Sequence, residues 1–206
     1  EDNAIRIDYD GVSDKKTVIN VTNHSYFNLA GHGAGSALAQ LVKIEADYYC
    51  TNGAIPMADG AIAPVEGTPM DFRTFSPVGR AIHSDFAQLR QAGGFNHTYV
   101  VRKRERGALE LAASMDDSGS GRKMEVYTTM PGLHFFTANK TTPRTGKGGA
   151  VYDRQFGLCF ETQFFPNSAK CTWFPSPVLR KENAYRQVTE FRFLVSQELE
   201  NQITAI

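Results

Sequence analysis

Two polar residues, each at the end of an apolar run, have the types needed for proton transfer. His24 follows Asn23 after the β-branched run at 18–22, and Glu161 directly follows the apolar run at 156–160. Each run predicts a buried strand that ends in a polar group. An imidazole ordinarily titrates near pH ~6.5 and a glutamate carboxyl near ~4.3, so at neutral pH the first can donate a proton and the second can accept one. The pair predicts acid/base chemistry on a small polar substrate.

Short strands are the elements expected to position this pair. Strand-like runs, separated by Gly, Pro, Asn and Asp, occur at 5–9, 41–46, 98–102, 108–115, 123–129, 133–138 and 191–195. They predict an all-β fold, a sandwich or a barrel, with at most one or two short helices. The best helical spacing lies at 77–92, just ahead of Gly93. The charged residues at 103–107 predict the tip of a hairpin between the runs at 98–102 and 108–115.

Composition excludes several classes of partner. The 206 residues carry no formal net charge, which argues against nucleic acid or an anionic membrane, because both require a basic surface. No apolar run approaches the ~20 residues of a membrane span. The three cysteines lack C-x-x-C spacing, which predicts reduced, buried thiols in a cytoplasmic protein and no metal site. The length suits a single domain, 1–206.

Six segments occur in an order that matches one known family. They are TNHSYFNLAG at 22–31, GTPMDFR at 67–73, GFNHTY at 94–99, EVYTTMPGLHFFTAN at 125–139, FETQFFPNS at 160–168 and FPSPVLR at 174–180. Together they resemble the aldose 1-epimerase (galactose mutarotase) family. The resemblance implies a large antiparallel β-sandwich with a sugar site in a cleft on one sheet. It also implies that 1–206 lacks the N-terminal portion of this domain, which would then be a partner of the chain and would carry further sugar-site residues.

The same resemblance implies a reaction. A mutarotase opens the hemiacetal ring of a free hexose, such as galactose or glucose, and recloses it on the other face without a cofactor or a metal. Glu161 falls at the position of the general base and His24 at that of the general acid, which agrees with the chemistry of these residue types. The only partner that this reaction requires is the sugar itself.

Two expected sugar-binding positions depart from the usual pattern of the family. Asn96 stands where the family usually has Asp, and His134 stands where it usually has Gln. Asn96 keeps an acceptor but lacks the charge, so its bond to a sugar hydroxyl is expected to be weaker. A neutral His134 offers one donor and one acceptor. Asn23 and His97, which are adjacent to His24 and Asn96, are candidates for supporting positions behind the site.

Two other functions remain open from the sequence. A non-catalytic sugar-binding or regulatory protein is compatible with both departures, whereas the presence of His24 together with Glu161 favours an enzyme. A hexose-6-phosphate 1-epimerase requires cationic groups near the site, and the basic run at 102–106 offers a phosphate clamp. Because Glu105 interrupts that run, a solvated hairpin tip is the simpler interpretation of it.

Overall fold

A computed structural model describes residues 3–53 and 58–196 of the chain. The described residues form fifteen strands, one short α-helix and two 3₁₀ turns. In chain order the strands are β1 (Ala4–Gly11), β2 (Thr17–Val18), β3 (Leu41–Ile44), β4 (Tyr48–Asn52), β5 (Ala58–Pro64), β6 (Ser76–Pro77), β7 (Asn96–Val100), β8 (Glu110–Asp117), β9 (Arg122–Thr128), β10 (Gly132–Phe136), β11 (Arg144–Thr145), β12 (Val151–Tyr152), β13 (Cys159–Gln163), β14 (Val178–Leu179) and β15 (Tyr185–Val195). The helix α1 spans Ala87–Ala92, and the 3₁₀ turns span Val78–Arg80 and Lys147–Gly149. The predicted all-β fold with at most two short helices is confirmed. None of the helices in this part of the chain has the length and apolar character needed to cross a membrane.

Two antiparallel sheets form a sandwich. The first has six strands in the order β1-β15-β9-β8-β3-β6, and the second has five in the order β13-β10-β7-β4-β5. The ribbons β11–β12 and β2–β14 lie outside these sheets. Residues of both sheets contribute to one apolar core. At its centre four aromatic rings follow one another with centroid distances of 5.0 to 5.6 Å, those of Phe72, Phe95, Phe135 and Phe160.

The helix predicted at 77–92 is wrong in its extent. The structure has the end of β6, the 3₁₀ turn and then α1, with non-helical residues between the two helical pieces. The predicted spacing rests on Ile82, Phe86 and Leu89, but Ile82 is buried in a turn before α1 begins. The predicted end is correct, because Gly93 adopts the left-handed conformation (φ 73°) that commonly terminates a helix. The apolar spacing therefore reflects burial of a turn-rich segment and not one continuous helix.

The hairpin predicted between 98–102 and 108–115 is also wrong. Strand β7 belongs to the five-stranded sheet and β8 to the six-stranded sheet, so the charged segment crosses between the two layers. Arg102 is held in this crossing by Glu45 and Asp47, at 3.1 and 2.8 Å. Residue alternation shows that a segment is a strand, but it does not show which sheet the strand joins.

The β-branched run at 18–22 is not the buried strand that its residue types predict. In this region the structure has the two-residue strand β2, which pairs with β14, and Val18 and Val21 are exposed. Beyond β2 the chain is irregular up to Phe27, which forms an isolated antiparallel bridge with Leu158. The run lies beside a sheet edge, where one side of the backbone faces solvent, and so its apolar side chains are only partly covered.

Candidate active site

A row of polar side chains crosses the outer face of the five-stranded sheet. Glu161 in β13 is paired with His134 in β10, which is paired with Thr98 in β7. Side chains two residues apart on a strand point to the same side, so Asn96 lies on this face as well. The opposite face of these strands supplies core residues such as Phe160. The fold thus brings Glu161, His134 and Asn96 together.

His24 meets Glu161 above this row. The Nε2 atom of His24 lies 3.5 Å from Oε1 of Glu161. The two side chains differ in environment, because that of His24 is 49% exposed and that of Glu161 only 11%. The pair therefore combines a buried carboxylate with an imidazole that solvent and a ligand can reach.

The segment that carries His24 is anchored by hydrogen bonds to the residues just before and just after β13. The side-chain amide of Asn20 accepts from the backbone N–H of Phe164 at 2.8 Å and donates to its carbonyl at 3.3 Å. At the other end, Phe27 and Leu158 exchange backbone hydrogen bonds of 2.8 and 2.9 Å. These two anchors hold the segment along the free edge of β13 and place His24 over the strand.

Aromatic neighbours orient the imidazole of His24. The ring of Tyr26 stacks on it, with a centroid distance of 5.1 Å and an interplanar angle of 24°. The ring of Phe136 meets it edge-on at 6.0 Å. Phe27, in contrast, turns into the core and packs against Phe191 at 4.9 Å. Of the two adjacent aromatic residues, Phe27 therefore serves packing and Tyr26 serves the site.

The environment of Glu161 favours its use as a base. Burial raises the pKa of Glu161 above the ordinary carboxyl value, and the charge of His24 opposes this shift. A carboxylate with a raised pKa binds a proton more strongly than one on the surface, and general-base efficiency increases as the pKa approaches the working pH.

His134 is fixed by hydrogen bonds at both ring nitrogens. Its Nδ1 lies 2.9 Å from Oγ1 of Thr98, and its Nε2 lies 2.8 Å from Oδ1 of Asn96. Burial, together with the nearby His24, lowers the pKa of His134 to about 4, so the ring is neutral at neutral pH. An amide oxygen only accepts, so we assign the proton to Nε2 and the acceptor role at Nδ1 to a bond from the Thr98 hydroxyl. One lone pair of the Asn96 oxygen is then used, and its second lone pair and its NH₂ group are left for a ligand.

The two predicted supporting residues act through the backbone. The side-chain oxygen of Asn23 accepts from the N–H of Ser25 at 3.0 Å, which shapes the turn around His24. His97 points into the core, where its ring meets Tyr49 edge-on at 5.9 Å. Its Nδ1 accepts from the backbone N–H of Asn96 at 3.1 Å, and burial lowers the pKa of His97 to about 3. Neither side chain lies in the polar row itself.

Three neighbours of the site were not predicted from the sequence. Thr98 holds His134, Tyr26 stacks on His24, and Cys159 lies close to both His24 and Glu161. The sequence did carry a signal for Thr98 and Cys159, because each lies two residues from a predicted site residue, Asn96 or Glu161, and such residues share a face of a strand.

The family model of aldose 1-epimerase matches residues 1–192 of the chain. The chain belongs to the aldose 1-epimerase family. Among relatives of this family, the chain is 39% identical to the galactose mutarotase of Mus musculus over 191 residues, which are 92% of this chain and 54% of that protein. It is 32% identical to the aldose 1-epimerase of Escherichia coli over 198 residues, 94% of this chain and 56% of that one. The chain thus spans about half the length of the curated relatives it matches.

Solved structures of aldose epimerases have the same fold. An aldose epimerase homologue from C. elegans superposes with a TM-score of 0.79 at 23% identity, covering 95% of this chain and 57% of that chain. A galactose 1-epimerase from Lactobacillus acidophilus gives a TM-score of 0.77 at 24% identity, covering 95% and 55%. The sandwich of this chain is therefore the galactose mutarotase-like sandwich.

Proposed function

We propose that the protein is an aldose 1-epimerase that interconverts the α and β anomers of a free hexose. The observation that carries this proposal is the His24–Glu161 pair, with 3.5 Å between Nε2 and Oε1, on the outer face of the sheet. Membership of the aldose 1-epimerase family supports the same reaction. General acid and base must come within about 2.6–3.2 Å of the atoms they serve. The hydroxyl and ring oxygens of a hemiacetal share one carbon, so a closely spaced pair suits them.

The reaction proceeds by two proton transfers and one rotation. Glu161 accepts the proton of the C1 hydroxyl while His24 donates a proton to the ring oxygen, and the bond between C1 and the ring oxygen breaks. The open-chain aldehyde rotates about the C1–C2 bond and presents its other face. The reverse transfers then close the ring as the other anomer and restore both residues. Each group contributes roughly 10²–10⁴-fold to the rate.

The substrate class that fits best is an uncharged hexose, such as galactose or glucose. The polar groups of the row, Asn96 and neutral His134, carry no charge and suit hydroxyl groups. The basic run does not favour a phosphate: Arg102 pairs with two carboxylates, and Lys103 donates to the backbone carbonyl of Ala108 at 3.0 Å. A hexose phosphate is therefore the weaker candidate.

The site residues are proposed in these roles: Glu161 as base, His24 as acid, and Asn96 and His134 as the groups that bind the sugar. We also propose a cytoplasmic location. It is supported by the three free, buried thiols of Cys50, Cys159 and Cys171, because unpaired cysteines persist in reducing compartments. Fluorescence microscopy of the tagged protein in its host would test the location.

Polarimetry of freshly dissolved α-D-galactose and α-D-glucose tests the activity. Glu161→Gln should lower the acceleration by roughly 10²–10⁴-fold while binding of the sugar survives. Glu190→Gln is the matched control, because Glu190 is equally buried, at 8% exposure, but lies in β15 of the other sheet. This control should keep the wild-type rate.

Sugar binding, measured by calorimetry on the same samples, separates the alternatives. A protein that binds galactose without accelerating mutarotation would be the non-catalytic sugar-binding protein instead. Unchanged turnover in Glu161→Gln would refute the assigned base. A larger acceleration with glucose 6-phosphate than with glucose would move the proposal to the hexose-phosphate class.

A further inference from the structure

Three side chains with different metal-binding atoms converge beside the polar row. Nε2 or Nδ1 of His24, Sγ of Cys159 and a carboxylate oxygen of Glu161 all lie within 4.8 Å of one another. Cys159 and Glu161 are two residues apart in β13 and so share its outer face. The mutarotase chemistry proposed above uses His24 and Glu161 and leaves the thiol of Cys159 without a role.

The donor set suits a thiophilic divalent cation. Imidazole, thiolate and carboxylate are the ligands that Zn²⁺ takes in proteins, at about 2.0–2.3 Å, which places tetrahedral ligands about 3.3–3.8 Å apart. The separation of 3.5 Å between His24 and Glu161 falls inside this range. Because all three ligand atoms lie within 4.8 Å of one another, shifts of at most about 1 Å bring them into this range. Three protein ligands leave the fourth position to water.

We propose that His24, Cys159 and Glu161 form a binding site for Zn²⁺ and similar thiophilic divalent cations, and that occupation of this site inhibits the enzyme. The cation would take the lone pair of His24 and an oxygen of Glu161, so neither group could then exchange protons with a sugar. The inhibition rests on the proposed function, whereas the binding of the cation does not.

Binding exchanges a proton for the metal without any oxidation. The S–H bond of Cys159 breaks, the S–Zn bond forms and the proton passes to solvent. Affinity is therefore expected to rise with pH. Mg²⁺ and Ca²⁺ prefer oxygen ligands and should not compete.

Titration with Co²⁺ as a spectroscopic substitute for Zn²⁺ tests the binding directly. The wild-type protein should show one saturating thiolate-to-cobalt charge-transfer band, and added Zn²⁺ should abolish it. Cys159→Ser should lose the band, whereas Cys171→Ser, which removes a buried thiol that is not in the cluster, should keep it. His24→Gln changes an exposed side chain, so it should fold normally and shift the titration to higher Co²⁺ concentration.

Polarimetry in the presence of Zn²⁺ tests the inhibition. The rate of each variant without metal is its own reference. Wild type and Cys171→Ser should be inhibited and recover with EDTA, and Cys159→Ser should lose this sensitivity. Absence of the band in the wild type, or its survival in Cys159→Ser, would overturn the site. A band without inhibition would keep the metal site, overturn its inhibitory role and count against the catalytic roles of His24 and Glu161.

Discussion

Replacing Thr98 by valine removes one hydroxyl from the polar row and leaves its shape nearly unchanged. Thr98 is 2% exposed, and its hydroxyl lies 2.9 Å from Nδ1 of His134. This bond makes Nδ1 the acceptor and so keeps the proton on Nε2, which faces the oxygen of Asn96 at 2.8 Å. Without the hydroxyl, either nitrogen of His134 can carry the proton, and the Asn96 amide loses its fixed orientation.

The size of the effect follows from the single hydrogen bond that is lost. A neutral hydrogen bond contributes about 0.5–1.5 kcal/mol, which corresponds to about 2- to 13-fold in an equilibrium. Asn96 and His134 are the proposed sugar-binding groups, and Thr98 positions them; none of the three is proposed to exchange protons with the sugar. The change should therefore raise KM for galactose by this factor and leave kcat close to the wild-type value.

Steady-state polarimetry over a range of galactose concentrations measures both constants. Thr98→Ser is the control, because it keeps the hydroxyl and should keep KM near that of the wild type. NMR of ¹⁵N-labelled histidine adds a direct view of the tautomer, which should be the Nε2–H form in the wild type and mixed in Thr98→Val. An unchanged KM, or a fall in kcat at constant KM, would refute the positioning role of Thr98.

Three further changes test the energetics of the fold and the site. Because burial raises the pKa of Glu161, the folded protein holds its proton more tightly than the unfolded chain, so stability should fall as pH rises from the ordinary carboxyl pKa through the raised one. Urea unfolding across this range should show a smaller decline in Glu161→Gln, and an identical decline would contradict the shift. Phe135→Ala, at a fully buried ring of the core, should lower the free energy of unfolding by about 3–5 kcal/mol, and a loss below about 1 kcal/mol in urea unfolding would contradict its central position. Gly94→Ala places a methyl group against the side chain of Asn139 at a φ of 142°, so its free energy of unfolding, measured by thermal melting, should fall by at least ~1 kcal/mol. Gly119→Ala is the control, because its nearest neighbour lies at 3.6 Å, and its free energy of unfolding should change by no more than ~0.5 kcal/mol. Equal melting of the two variants would count against the clash.

The sequence was sufficient for the fold class, but it was insufficient for how the strands are divided between the two sheets. Alternation along 5–9 and 191–195 predicted strands that the structure has as β1 and β15. Which sheet a strand joins depends on how whole layers are buried, and the local pattern of residues does not show it. That is why 98–102 and 108–115 predicted a hairpin although β7 and β8 lie in different sheets.

The sequence could predict which residues share one face of a strand, but it could not predict the hydrogen-bond partners of each side chain. The match of six segments placed Asn96, His134 and Glu161 in one site, and the sheet register brings them together. Their hydrogen bonds depend on which strands are neighbours. The role of Thr98 therefore becomes visible only when β7 is paired with β10.

The edge segment at 20–27 leaves the proposed acid, His24, less constrained by backbone hydrogen bonds than the proposed base, Glu161. Glu161 lies within a strand of the sheet, whereas His24 lies between the two anchors at Asn20 and Phe27. In the described part of the chain, residues 21–26 form no backbone–backbone hydrogen bonds between these anchors. In the proposed reaction, rotation about the C1–C2 bond moves the C1 oxygen to the other side of C1, so the groups that face C1 must serve its oxygens in two arrangements. Because His24 lies in a segment without a strand ladder, it has more freedom than Glu161 to serve both arrangements, which suits it to the acid role proposed for it.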